Sequence, residues 1–250
     1  MSGGPEQGAV ERATTDRPGD PEAVERFADI LADWLASYTV AAPLAAEMAD
    51  AMEAGSAWVG AIGAGAVRRA GWQDAESVAW GIAVSALAAA HVAALRSLDG
   101  ETQGRDPGSG ALGPARALLA ADGLIAAAHE SLASLSPERL GEAFTALERA
   151  YGDGGPWRLL PAEAGGFPAW PRLVPLAVRP AAMARPDGPW ADLAAAWERF
   201  GDRDPGADPK GAAERALYEH AAADGSTVAL LRSAAGAARR LSRKGSRARR

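Results

Sequence analysis

From Pro21 onward the apolar positions follow a helical spacing: Val24, Phe27, Ile30, Leu31, Trp34 and Leu35 fall three and four residues apart and form one stripe. This predicts a first helix that lays one face on the body of the protein. A second apolar helix is predicted over 43–69, with Gly55, Gly60, Gly63 and Gly65 inside it. Each of these glycines weakens a helix interior by roughly 1 kcal/mol relative to alanine, and each allows a neighbouring helix to come close. Residues 74–98 are apolar on nearly every side, the pattern of a helix in the middle of a bundle.

The segment 99–110 combines Gly, Pro, Asp and Ser and predicts a loop. Helix resumes over 112–135, and Ser136 followed by Pro137 is a start signal for another, ending near Tyr151. Glycine and proline interrupt 152–171, after which short helices are predicted over 173–184, 190–200, 209–223 and 227–241. No run alternates with the period of two that a half-buried strand requires, and no segment repeats, so the expected fold class is all-α.

Composition narrows the chemistry. The chain has 250 residues, 48% of them hydrophobic, which suits one domain with one sizeable core. It has no cysteine, which excludes disulfides, thiolate nucleophiles and cysteine-bound zinc. Three histidines, His91, His129 and His220, are the available imidazoles. Residues 1–20 are rich in Gly, Pro, Glu, Asp and Thr and lack an apolar leader, so a disordered N-terminal segment and a cytoplasmic location are expected. The formal charge of −6 is unevenly spread. Residues 232–250 hold eight of the 26 basic residues and no acid, leaving 18 basic residues against 32 acids, a body at −14 beside a tail at +8. Such a tail, whose last part is 242–250, suits weak contact with an anionic membrane; a nucleic-acid partner is not expected.

Residues 113–132 read GPARALLAADGLIAAAHESL. They resemble the helix of trans-polyprenyl diphosphate synthases that reads G-x-x-x-A-x-L-x-G-D-x-L-x-x-x-A, with Gly113, Ala117, Leu119, Asp122, Leu124 and Ala128 matching and Ala121 in place of a glycine. Upstream, 78–94 resembles the family helix V-E-x-x-H-x-x-S-L-x-H-D-D, retaining Val78 and Ser85. On this register the chemistry is erased. Ala79 replaces the glutamate, Ile82 the first histidine, and Ala89 and Ala90 the leading aspartates of the first Asp-rich motif. In the family those aspartates hold magnesium, a hard cation that needs oxygen ligands, and alanine has none to give. The segment that grips isopentenyl diphosphate, G-G-K-x-x-R, corresponds to 54–59, with Ser56 and Val59 where its two cations belong.

The C-terminal half resembles the family more loosely. Residues 173–182 correspond to the stretch after the family's Lys-Thr pair, and 194–204 to the second Asp-rich motif, with Trp197 as its aromatic, Glu198 for glutamine, Gly201 for the first aspartate and Asp202 for the second. The resemblance spans about 25–240. It implies an isoprenoid-synthase-like helical bundle around a central cavity over 21–241, no catalytic residue, and no metal bound by this chain, any magnesium being held by a partner. Asp122 is expected to serve helix packing and hydrogen bonding and, with Ser85, His91, Trp58 and Trp80, is a candidate for an interface or cavity; Trp58 and Trp80 are also expected to fill the former substrate pocket or the core.

Since members of this family are usually dimers, a copy without ligands implies a non-catalytic subunit of a heterodimer or heterotetramer with an intact prenyl diphosphate synthase. Two other readings remain open. One is an apolar isoprenoid-binding or interaction protein. The other is a terpene synthase-like enzyme with relocated acids, for which Asp99, Glu101, Asp202, Asp204 and Asp208 are the candidates.

Overall fold

The computed structural model describes residues 23–37, 42–53, 56–99, 113–151, 170–201 and Gly211. These are all-helical, with eight helices and no strand among the described residues: α1 (Ala23–Ser37), α2 (Ala42–Glu53), α3 (Ser56–Arg69), α4 (Asp74–Asp99), α5 (Gly113–Ala133), α6 (Pro137–Tyr151), α7 (Trp170–Ala184) and α8 (Pro189–Gly201). Apart from Gly211, the expected helices over 209–223 and 227–241 lie outside the described residues, as do the N-terminal 1–20 and the basic tail.

The α4 helix is the hub, packing against α2, α3, α5 and α7. Every residue from Ala79 to His91 on it is buried, which explains why its sequence is apolar all round. The same property makes Asp74–Leu95 long and apolar enough to cross a membrane, but burial beneath four neighbouring helices accounts for it without one.

The single helix predicted over 43–69 is two helices, α2 and α3, separated by Ala54 and Gly55. Glycine is the weakest helix former short of proline, and Gly55 stands in the sequence between the two helices.

The turn from α3 to α4 has a defined cause. Gly71 has φ of 96°, a left-handed conformation that side-chain-bearing residues resist. Its N–H donates to the Arg68 carbonyl and the Trp72 N–H to the Val67 carbonyl, both at 3.1 Å, the paired bonds of a Schellman stop. Immediately afterwards the Gln73 N–H donates to Glu76 Oε2 at 3.3 Å, one half of a capping box. Asp74 and Glu76 then place two acids in the first turn of α4, where the helix dipole favours them.

This turn is tied to the start of α6. The Ser136 hydroxyl donates to Glu76 Oε1 at 2.6 Å, and the Trp72 indole donates to Glu142 at 2.9 Å. Arg139 lies over the Trp72 ring, 5.6 Å from its centroid, and bonds Glu142 at 2.6 Å. Two helix starts and one helix stop are thereby held by one polar cluster at the edge of the core.

Candidate functional site

The crossing of α3 and α4 is closely built. A Cβ at Gly60 would lie 2.4 Å from the Gly81 carbonyl oxygen and 2.8 Å from the Phe27 ring; one at Gly81 would lie 2.8 Å from the Gly60 carbonyl oxygen. Only glycine on both helices allows this approach, and Phe27 of α1 closes over it. Ser85, also fully buried, faces the same crossing: its hydroxyl lies where a Gly60 Cβ would have to go. One turn along, Gly63 leaves room for Trp80, whose indole Nε1 donates to the Ala177 carbonyl of α7 at 2.9 Å. Trp80 is wholly buried and joins α3, α4 and α7.

Five of the positions where the resemblance would place chemistry lie in the packed interior. Val59, Ala79, Ile82, Ala89 and Ala90 are all buried in the hydrophobic core. Ala89 and Ala90, where the resemblance would place two aspartates, carry no donor for magnesium. His91 is buried on α4. The side chains of Ser56 and Trp58 lie outside the described residues, as do Asp202, Asp204, Asp208, Glu101 and His220.

Glu198 stands on α8 and forms an ion pair with Arg179 of α7. Burial, followed by the nearby charge of Arg149, lowers the pKa of Arg179, and Glu198 is the anion that offsets that burial. Its role is therefore to join two helices. Gly201, which closes α8, is two helical turns or more from any acid on α8 other than Glu198, since Asp192 is the acid of the first turn. Among the described residues no three His, Asp or Glu side chains converge as a metal site would need.

Asp122 departs from the packing role expected of it. It is exposed on the outer side of α5 rather than packed or hydrogen-bonded within the bundle. The reason is angular: Ala117, Ala120, Ala121, Leu124, Ala127, Ala128 and Leu132 face the core, and Asp122 falls on the opposite side at 100° per residue. His129 shares the outer side; its Nδ1–H donates to the Ile125 carbonyl at 2.8 Å, so the imidazole is turned back along its own helix and forms no pair with Asp122.

The same outer side carries what sequence reasoning missed. Leu118, Leu119 and Ile125 are 53%, 57% and 40% exposed, and Ala115 and Ala126 lie beside them. On so Ala- and Leu-rich a helix these residues read as core. The signal that separates them is their angle from Leu124 and Leu132, which are buried.

No protein-family model matches this chain, and searches of curated proteins and of solved structures find no similar protein.

Proposed function

We propose that this chain is a non-catalytic subunit that pairs with a catalytically complete prenyl diphosphate synthase and modulates its stability, activity or product length. The reading includes an isoprenoid-synthase-like arrangement of the helices around a central cavity and a cytoplasmic complex, heterodimeric or heterotetrameric. The observation that carries it is the outer face of α5. The helix with the closest sequence resemblance to the family is also the one that leaves three large apolar side chains exposed, as a subunit interface requires. Burial of Ala89 and Ala90 where ligands would stand supports a role without chemistry of its own.

The test is co-expression with an intact synthase from the same source. Co-purification in a fixed ratio, with a changed product length or rate, is the expected result. Failure to co-purify, with products unchanged, would remove the proposal.

A further inference from the structure

Asp122 occupies the centre of the apolar face of α5. Its helical neighbours one turn away are Leu118 and Leu119 on one side and Ile125 and Ala126 on the other, and all five residues are exposed. Arg116 and Glu130 lie toward one rim of the face. A charge ringed by apolar side chains is costly to cover, because contact strips its water and returns nothing unless a counter-charge arrives with the partner.

We propose that this face docks a partner helix carrying a Lys or Arg among apolar residues, and that Asp122 bars the face from pairing with a second copy of this chain. The inference rests on the subunit reading above and specifies the chemistry of the partner. Its basis is symmetry. In a two-fold pair the same patch meets itself, and the residue at the patch centre meets its own copy. Parallel helices in register bring Asp122 opposite Asp122 at every spacing; antiparallel helices crossing at the middle of the patch do the same. Either arrangement buries two carboxylates against each other, which is repulsive and loses the hydration of both. A cation at that point gains a charge-assisted hydrogen bond instead, while Leu118, Leu119 and Ile125 supply the apolar contact.

The chain itself provides the probe. Sedimentation equilibrium is measured on the full-length protein, on Asp122→Arg, on Asp122→Leu, and on an equal mixture of the native protein with Asp122→Arg. Asp122 is exposed, so these substitutions leave the core intact, and circular dichroism confirms it. The expected result is that the native protein and Asp122→Arg are each monomeric, that their mixture forms a one-to-one dimer at least tenfold tighter than either alone, and that Asp122→Leu self-associates. A native dimer whose affinity Asp122→Leu leaves unchanged would overturn the proposal. So would a mixture and an Asp122→Leu variant that both stay monomeric. Dimerisation of the mixture without co-purification of a prenyl synthase would keep this inference and remove the functional reading; the reverse pattern would remove the inference alone.

Discussion

The indole Nε1 of Trp80 donates to the backbone carbonyl of Ala177 across 2.9 Å of fully buried interior. Ala177 lies in a helix with two internal prolines, Pro175 and Pro180. Pro180 has no N–H for the Leu176 carbonyl, so the bond from Trp80 fastens α7 to α4 beside a turn that lacks one of its own hydrogen bonds. Trp80→Phe removes the donor and part of the ring, and a loss of about 2–4 kcal/mol is expected from the buried acceptor and the cavity together. Urea denaturation measures it, and loss of less than about 1 kcal/mol would show that α7 does not depend on this contact.

The crossing of α3 and α4 predicts opposite effects for one substitution at different places. Gly60→Ala or Gly81→Ala sets a methyl group against backbone oxygen, and a cost of about 1–3 kcal/mol is expected even after alanine's better helix propensity. Gly141 on α6 is exposed and a Cβ there would meet nothing within 4 Å, so Gly141→Ala is expected to stabilise by up to about 1 kcal/mol. Thermal melts of the three variants check both signs.

These glycines mark the limit of what the sequence conveys. Six of the eight helices are each foreshadowed as a separate element, and the α6 start at Pro137 by the Ser-Pro signal. The periodicity did not divide α2 from α3, because a helix break is local and the apolar pattern runs through it. Nor did it separate Leu118, Leu119 and Ile125 from the core of α5: when small apolar residues cover a helix, composition no longer tells inside from outside. Asp122 was readable as a motif position, but its exposure depends on which way α5 rolls against α4, a tertiary fact.

Acid stability follows from Glu76 and Asp74. The Ser136 hydroxyl is the main cause holding the Glu76 carboxyl below its ordinary pKa, with the N–H groups of Gln73 and Ser136 and the charge of Arg139 adding to it against a smaller opposing effect of burial. The hydrogen bond from Arg68, 2.5 Å long, does the same for Asp74. Carboxyls with depressed folded pKa values stabilise fully above the unfolded value, near 4 for such groups, and lose that contribution as pH falls through the folded value. The urea midpoint is therefore expected to drop between about pH 5 and pH 3. Glu76→Gln is expected to lower stability at neutral pH by about 1 kcal/mol and to flatten that decline; an unchanged slope would contradict the role given to Glu76.

Glu198→Ala leaves Arg179, whose side chain is only 14% exposed, without its carboxylate and near the charge of Arg149. A loss of about 1–2 kcal/mol is expected, between the values for exposed and buried pairs because Glu198 is itself 34% exposed. Glu198→Gln keeps a hydrogen-bond acceptor and is expected to recover part of it. Equal stability of both variants and the native protein, measured by guanidinium denaturation, would show that the pair contributes nothing.

The most direct test of the account is turnover by the isolated chain. The purified protein is incubated with magnesium, labelled isopentenyl diphosphate and an allylic diphosphate, and elongated products are sought over hours. No product is expected, because on the register of the resemblance buried Ala89 and Ala90 stand in place of the leading aspartates of the first Asp-rich motif and buried Val59 in place of one diphosphate-binding cation. Magnesium-dependent product formation by this chain alone would contradict the account.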